Sequence, residues 1–263
     1  MLNVTPDSFS DGGLYADAAA ALDRALEMEH EGADIIDVGA ESTRPGADPV
    51  CASEEIRRLK PVLHLLRKKC RVPLSVDTTK SEVMQLVMDE GVEIINDISA
   101  LSCTAKTIRR LARYKVSVIL MHKQGDPKTM QKAPRYGDVV EDVRTFLKSA
   151  VRRAVDNGID ARRIIVDPGF GFGKTAEHNH ALLRRLEAIG SLGLPVLAGL
   201  SRKSFIGLIT GGDPLKRLEG TLAAGAIAIQ KGAHLLRVHD VRAHRQMADV
   251  IDKILFSSSA RIV

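Results

Sequence analysis

Four aspartates lie within or directly after short apolar stretches: Asp37, Asp77, Asp97 and Asp167. A buried carboxylate without a partner costs several kcal/mol, so each of these side chains needs a hydrogen-bond donor. A carboxylate accepts two parallel N–H bonds well, and the amidine-like edge of a guanine or a pterin presents that pattern. The alternative role is a turn or helix cap. For Asp167, which precedes a glycine-rich stretch, both interpretations stay open.

Basic residues follow other apolar stretches, close to glycines. Cations at strand ends beside glycine-rich turns are typical of phosphate sites, whereas surface ion pairs are the alternative for any single residue. The residues are Arg44, Arg202, Lys203, Arg237 and His239. Asn3 offers a hard oxygen to Mg²⁺, an ion that keeps several waters and bridges to phosphate oxygens.

The segment 169–175 reads GFGFGKT and resembles two nucleotide-binding motifs only in part. Pro168 stands where a Walker A loop needs its first glycine, and Lys174 stands where a dinucleotide fingerprint needs its third. The chain contains no HExxH helix and no Gly-x-Ser-x-Gly elbow, and Ser201 has no obvious His–Asp partner. We therefore expect neither NTPase, dinucleotide-binding, zinc nor serine-hydrolase chemistry.

Short apolar runs alternate with longer amphipathic segments along the chain, which predicts eight strand–helix units. No Pro- or Ser-rich linker interrupts them, so we expect one domain over residues 1–263. Alternation of this kind predicts an α/β fold with a parallel sheet, either open or closed. Polar residues follow all eight strands, and only a closed (β/α)8 TIM barrel brings all eight carboxyl ends to one mouth. The barrel is therefore the predicted fold.

The predicted elements are short strands and longer helices. The strands lie near 2–4, 35–38, 74–76, 93–95, 116–121, 164–166, 196–197 and 235–238. The helices lie near 16–31, 53–69, 80–90, 104–114, 138–157, 177–189, 214–231 and 240–255.

The composition is that of an ordinary globular protein, with 44% hydrophobic and 27% charged residues and a net charge of +5. Aromatic residues make up only 3% of the chain, which argues against base stacking in a nucleic-acid binder. No apolar run reaches the roughly 18 to 20 residues of a bilayer span, and the N-terminus lacks the pattern of a secretory signal. The cysteines Cys51, Cys70 and Cys103 are odd in number. We expect a cytoplasmic protein that binds neither nucleic acid nor membrane.

Eight motifs occur in a characteristic order: LNVTPDSFSDGG, IDVG, ESTRPG, SVDT, INDI, DPGFGFGK, SRKS and RVHD. They start at positions 2, 36, 41, 75, 95, 167, 201 and 237. Together they resemble the dihydropteroate synthase family over essentially the whole chain. The resemblance implies a (β/α)8 barrel that forms a homodimer. It also implies a transferase that joins 6-hydroxymethyl-7,8-dihydropterin diphosphate to 4-aminobenzoate and releases diphosphate in folate biosynthesis.

The resemblance further implies roles for individual residues. The pterin pocket would consist of Asp77, Asn96, Met121, Asp167 and Lys203. The diphosphate would be held by Asn3, Thr43, Arg237 and His239, with Mg²⁺ on Asn3. The 4-aminobenzoate slot would be formed by Ser8, Phe9, Arg44, Pro45, Phe172 and Ser201. The catalytic set would be Asp77, Lys203, Arg237 and Asn3.

Two rival functions and one departure from the family pattern remain. A pterin-binding domain of a methyltetrahydrofolate corrinoid methyltransferase shares the barrel, but it should lack the ESTRPG and SRKS loops present here. A catalytically silent paralogue would keep the binding motifs. Family members carry a complete first strand before the first motif, whereas here Met1 stands almost at that motif. We therefore expect a shortened first strand that leaves the barrel floor partly uncovered.

Overall fold

The computed structural model describes residues 1–4, 13–41, 49–126, 129–211 and 213–255. Within these ranges it contains eight strands: β1 Leu2–Asn3, β2 Ile36–Gly39, β3 Leu74–Asp77, β4 Ile94–Asp97, β5 Ser117–Met121, β6 Ile164–Asp167, β7 Leu197–Ala198 and β8 Leu235–Leu236. The α-helices in the same ranges are α1 Gly13–His30, α2 Ala52–Lys69, α3 Ser81–Asp89, α4 Ala105–Tyr114, α5 Val139–Asp156, α6 Ala176–Arg184, α7 Glu187–Gly190, α8 Ser204–Thr210, α9 Leu218–Gln230 and α10 Val241–Leu255. None of these helices is long and apolar enough to cross a lipid bilayer.

The strands are parallel and follow one another around the sheet in chain order. Six of them, β1 to β6, form one hydrogen-bonded sheet, and β7 pairs with β8. A bridge between Val166 and Val196 links these two groups. On the other side, the Met1 ammonium donates to the Val238 carbonyl oxygen at 2.8 Å and brings β1 to the end of β8. This is the predicted (β/α)8 barrel.

Successive side chains of a strand point to opposite faces, which explains how the barrel interior is divided. An apolar layer fills its lower part and consists of Ile94, Ile119 and Leu197 packed with Ile35, Ile165 and Leu235. Two residues further along five of these six strands, on the same face, the side chains are Asp37, Asn96, Met121, Asp167 and Arg237. The same strands therefore supply the packed interior and, one inward position later, a mostly polar layer at the mouth.

The helices differ from the prediction in three places. The helix predicted at 214–231 begins as a 3-10 turn, Pro214–Lys216, and becomes α-helical only at Leu218. The predicted helix at 177–189 divides into α6 and α7, because the backbone at Arg185 leaves the helical region at φ −115° and ψ 33°. The buried side chains of Leu186 and Ile189 follow this break and enter the core. The short helix α8 was not predicted, because it buries Phe205 and Ile206 but exposes Leu208 and Ile209, so its sequence lacks an amphipathic pattern.

The first strand is as short as predicted. Within the described residues, β1 pairs with β2 through Leu2 with Val38 and Asn3 with Gly39, and Ile36 has no strand partner on this side. A cavity of about 1340 Å³ lies beside Met1. Its lining includes Met1, Ile35, Leu235, Val238 and Val241.

Lengthening β1 should therefore stabilise the protein. An upstream segment that ends in an apolar pair before Leu2 is expected to raise the melting temperature by several degrees. Each apolar side chain that becomes buried contributes about 1.5 to 3 kcal/mol, and 1 kcal/mol is equivalent to about 2 to 4 °C in a chain of this size. Differential scanning calorimetry measures the change, and an extension of equal length ending in Ser-Asp is the control. Equal melting temperatures for the extended and original chains would show that two residues suffice.

Candidate active site

The predicted pterin residues come together on four neighbouring strands. Asp77 ends β3, Asn96 lies in β4, Met121 ends β5 and Asp167 ends β6. Asp77 is in register with Asn96, and Met121 with Asp167, and all four side chains are buried. The Oδ1 atom of Asn96 is buried and has no hydrogen-bond partner among the described residues. The mouth therefore presents acceptor oxygens beside an apolar side chain.

Arg237 bridges two of the aspartates identified from the sequence. Its Nε donates to Asp37 Oδ2 at 2.6 Å and its Nη2 donates to Asp77 Oδ2 at 3.0 Å. Its Nη1 makes no hydrogen bond with a described residue. The donor that Asp37 requires is thus an arginine 200 positions away.

In this cluster the two carboxyl groups, Asp37 and Asp77, have pKa values that are shifted in opposite directions. Burial opposes ionisation of Asp37, but the Arg237 guanidinium outweighs it and holds the pKa of Asp37 below its usual range. Burial raises the pKa of Asp77 to about 7, because the nearby charge of Asp37 offsets part of the attraction to Arg237. Asp77 therefore titrates near neutral pH while Asp37 stays ionised.

Asp167 and Lys203 lie at the same mouth. The Gly169 amide donates to Asp167 Oδ1 at 2.7 Å, while Oδ2 makes no hydrogen bond with a described residue. Burial raises the pKa of Asp167 to about 6 and lowers that of Lys203 to about 8. The Lys203 ammonium stands 4.3 Å from the centroid of the Phe172 ring and likewise makes no hydrogen bond within the described part of the chain. The pocket thus contains one acceptor, Asp167 Oδ2, and one donor, the Lys203 ammonium, that have no hydrogen-bond partner among the described residues.

The glycine-rich loop after β6 packs backbone to backbone against the segment that follows β5. Gly169 has φ +67°, and a Cβ atom there would lie 1.9 Å from the carbonyl oxygen of His122. Gly173 has φ +63°, and its Cβ would lie 2.2 Å from the carbonyl oxygen of Gln124. Only glycine allows this approach. Lys174, the residue that resembles a Walker lysine, is 3% exposed and points into the protein, where burial lowers its pKa to about 7.

Ser201 and His239 form a pair that sequence reasoning missed. Ser201 Oγ lies 2.8 Å from His239 Nδ1, and the His239 amide donates to the same hydroxyl at 3.2 Å. The sequence indicated no His–Asp pairing for Ser201, and within the described residues the His239 ring makes no hydrogen bond to an aspartate. Burial, together with the charges of Arg202 and Arg237, lowers the pKa of His239 to about 3, so the ring is neutral at pH 7. No local spacing signals the pair, because the residues follow different strands.

Two residues that the sequence suggested for ligand binding form hydrogen bonds within the protein instead. Asp97 accepts from the amide and hydroxyl of Ser99 and from the amide of Leu101, so it caps the turn after β4. Arg202 forms a two-bond ion pair with Asp240 at 2.6 and 3.1 Å. Asp97 therefore has the role of a turn cap, and Arg202 that of an ion-pair partner, which were the alternatives to a ligand-binding role.

Lys80 organises a second network beside the mouth. Its ammonium donates to Glu41 and, at 2.7 Å, to the fully buried Glu55. The other carboxylate oxygen of Glu41 accepts from the Val50 amide at 2.9 Å, which ties together the two ends of the segment 42–49. Neither Lys80 nor Glu55 was a sequence candidate, since each lies in an ordinary charged stretch.

The remaining predicted residues fall into two groups. Asn3 ends β1, half-buried, beside Gly39. The five residues outside the described ranges are Ser8, Phe9, Thr43, Arg44 and Pro45.

Comparisons with known proteins find relatives that match most of this chain. The pterin binding enzyme family matches residues 1–239. The dihydropteroate synthase of Escherichia coli K12 is 45% identical over 255 residues, which are 97% of this chain and 90% of that protein. The dihydropteroate synthase of Xanthomonas albilineans with 4-aminobenzoic acid superposes with a TM-score of 0.88 at 45% identity, covering 99% of this chain and 92% of the other. Its complex with 7,8-dihydropteroate gives a TM-score of 0.86 at 42% identity, covering 98% and 92%.

Proposed function

This chain belongs to the dihydropteroate synthase family of pterin-binding enzymes, and on that premise we propose that it joins 6-hydroxymethyl-7,8-dihydropterin diphosphate to 4-aminobenzoate. The chain is accordingly a transferase. The observation that carries the proposal is the set of buried acceptor oxygens on β3, β4 and β6, which faces the open ammonium of Lys203. A pterin edge offers N–H donors next to a carbonyl acceptor and complements both.

The pterin would lie between Asp167 and Lys203. Asp167 accepts from the amino and ring N–H groups, Asn96 Oδ1 accepts a further N–H, and Lys203 donates to the carbonyl. Met121 supplies an apolar wall. Asp167 Oδ2, Asn96 Oδ1 and the Lys203 ammonium make no hydrogen bond within the described part of the chain, so binding would satisfy polar groups that otherwise stay unpaired.

The diphosphate would lie across Arg237 and His239. The guanidinium already donates from Nε to Asp37 and from Nη2 to Asp77, which fixes its plane. Its Nη1 would then donate to a phosphate oxygen. When Nδ1 of His239 accepts from Ser201, the ring carries its proton on Nε2 and donates it outward. We propose Thr43 as a further phosphate contact.

The donor set at the end of β1 fits Mg²⁺ that arrives with the diphosphate. Asn3 supplies one neutral oxygen, and the described residues contain no cluster of three His, Cys, Asp or Glu side chains that would hold a metal without substrate. Mg²⁺ is commonly held by one or two protein oxygens, waters and substrate phosphates. When bound, the ion would neutralise charge on the departing diphosphate. Asn3 would hold it.

The chemistry needs no nucleophilic side chain. A C–N bond forms between the amine of 4-aminobenzoate and the pterin methylene carbon, the C–O bond to diphosphate breaks, and the amine loses a proton. Positive charge develops on the methylene, where Asp77 stabilises it, and negative charge develops beside Arg237. The 4-aminobenzoate slot would comprise Phe172 and Ser201 together with Ser8, Phe9, Arg44 and Pro45.

Diphosphate release by the purified protein, with and without 4-aminobenzoate, tests the function. Release that depends on 4-aminobenzoate and yields dihydropteroate is expected. Pterin binding without any product would instead identify a silent paralogue, and methyl transfer from methyltetrahydrofolate would identify the corrinoid-dependent alternative.

Removing the Lys203 ammonium should weaken pterin binding. For Lys203→Ala we expect about a 10- to 150-fold loss of affinity, because a charge-assisted hydrogen bond contributes about 1.5 to 3 kcal/mol. Calorimetry with a pterin monitors the loss, and Lys216→Ala, which removes an exposed lysine, is the control. An unchanged dissociation constant in the folded variant would remove Lys203 from the pocket.

We also propose a homodimer that works in the cytoplasm. Large apolar side chains are exposed on α8, α10 and the segment before α9, and a second copy would cover such a surface. They are Leu208, Ile209, Leu215, Val250 and Ile254. The three cysteines are unpaired, as a reducing compartment requires. Sedimentation equilibrium of Ile209→Lys compared with the wild type tests the dimer.

A further inference from the structure

A lysine that the proposed reaction does not use is buried next to the mouth. The Lys174 ammonium lies 2.9 Å from His122 Nδ1, 2.9 Å from the Gly169 carbonyl oxygen and 3.1 Å from the Phe172 carbonyl oxygen. An ammonium has three donors, and here all three have acceptors. None of the acceptors is a carboxylate, so the site gains no ion pair to offset the burial of the charge. Burying the ammonium in this way therefore does little to stabilise the folded protein, which suggests another role for the residue.

The two carbonyl groups that Lys174 binds belong to the loop between β6 and α6. The Gly169 amide donates to Asp167 Oδ1 at 2.7 Å, and the Phe172 ring stands 4.3 Å from the Lys203 ammonium. Lys174 therefore holds the carbonyl group of Gly169, the residue whose amide donates to Asp167. It also holds the carbonyl group of Phe172, the residue whose ring lies beside the Lys203 ammonium.

Other side chains hold the rest of this loop. Tyr136 donates its hydroxyl to the Gly173 carbonyl oxygen at 2.7 Å, and Gln131 donates to the Gly171 carbonyl oxygen. Asn179 Oδ1 accepts from the Gly171 amide at 2.7 Å. These contacts reach Gly171 and Gly173, so among the described side chains only Lys174 holds the carbonyl groups of Gly169 and Phe172.

His122 keeps the ammonium in place. Burial, together with the nearby Lys174 charge, lowers the pKa of His122 to about 3, so its ring is neutral at pH 7. When the Lys174 ammonium donates to Nδ1, the ring carries its proton on Nε2. The ring is fixed in turn by an edge-on contact with Phe146, at a centroid distance of 4.8 Å.

We propose that Lys174, held by His122, is a positioning residue that sets the loop between Asp167 and Phe172 for both substrates. Lys174 contacts neither the proposed pterin nor the 4-aminobenzoate, and it acts through the backbone of Gly169 and Phe172. The inference rests on the proposed function, since it assigns Asp167 to the pterin and Phe172 to the 4-aminobenzoate slot.

Lys174→Met tests the proposal, because it keeps the length of the side chain and removes all three donors. We expect the pterin dissociation constant and the KM for 4-aminobenzoate to rise about 10- to 100-fold, since small displacements of binding groups have effects of that size. Amide hydrogen exchange in 168–174 should also accelerate in the ligand-free protein. A role in stability alone would lower the melting temperature and leave both constants unchanged. Lys148→Met, an exposed change on α5, is the matched control.

His122→Phe keeps the ring and removes one acceptor, so it serves if Lys174→Met does not fold. Its constants should move in the same direction by a smaller factor. Constants within twofold of the wild type in either folded variant, with the wild type active, would overturn the positioning role alone. A wild-type protein that neither binds a pterin nor forms product would overturn the proposed function, and this inference with it.

Discussion

Asp167→Asn is expected to abolish measurable pterin binding although the side chain hardly changes in size. The Gly169 amide needs an acceptor, so the asparagine would turn its oxygen toward that amide and its NH₂ group into the pocket. The NH₂ group then faces the N–H donors of the pterin. Losing two charge-assisted hydrogen bonds, at about 1.5 to 3 kcal/mol each, corresponds to a decrease in affinity of at least about a hundredfold. Isothermal calorimetry with a pterin measures it.

The pH dependence of binding provides a second measurement on the same residue. The carboxylate accepts both bonds only when ionised, and burial raises the pKa of Asp167 to about 6. Pterin affinity of the wild type should therefore fall as the pH decreases below about 6. Asp156→Asn, on the exposed side of α5, should leave affinity unchanged. If Asp167→Asn binds pterin like the wild type, Asp167 only caps the turn at Gly169.

The fold was predictable because its signals are local. Alternating apolar runs and amphipathic stretches predict eight strand–helix units, and polar residues after every strand favour a closed barrel over an open sheet. Asp77 and Asp167 could be assigned to the mouth for the same reason. Asp97 shows where this reasoning fails, since it occupies an equivalent position in the sequence but its oxygens bind the amides of Ser99 and Leu101.

The partners of the site residues could not be predicted, because the contacts join distant parts of the chain. Arg237 binds Asp37 across 200 positions, and Ser201 meets His239 across 38. The position of Lys174 could not be predicted for another reason. Its motif resembles a nucleotide-binding loop, but the loop turns through Gly169, Gly171 and Gly173, which all have positive φ angles, and the lysine is buried. Spacing within one segment carries no information about such contacts.

Replacing Arg237 should affect both ligand binding and stability, because this residue would bind the diphosphate and also neutralises two buried aspartates. Arg237→Met would leave Asp37 and Asp77 buried without the guanidinium that binds both carboxylates. Breaking a buried pair in this way costs about 3 to 5 kcal/mol, so we expect the melting temperature to fall by roughly 6 to 20 °C. Pterin diphosphate should lose affinity, whereas free pterin should retain most of it, because the guanidinium lies at the phosphate end. Equal losses for both ligands would contradict that division.

Acidification should reduce the difference in stability between Arg237→Met and the wild type. Without the guanidinium, the pKa values of both carboxyl groups lie above the unfolded value, so the folded variant binds more protons than the unfolded chain. Its stability then rises as the pH falls from 8 to 5. In the wild type, the pKa of Asp37 is depressed, so the stability due to this residue is present above its unfolded pKa and decreases only at more acidic pH.

The double variant Asp37→Asn/Arg237→Met separates the two roles of the arginine. Removing one of the two uncompensated carboxylates should restore much of the melting temperature, because the remaining Asp77 can take up a proton at a pKa already raised to about 7. Affinity for pterin diphosphate should stay low, since no cation has been returned to the phosphate end. If the double variant instead recovers both properties, Arg237 serves only to neutralise the aspartates, and the diphosphate must be held by His239 and Asn3 without it.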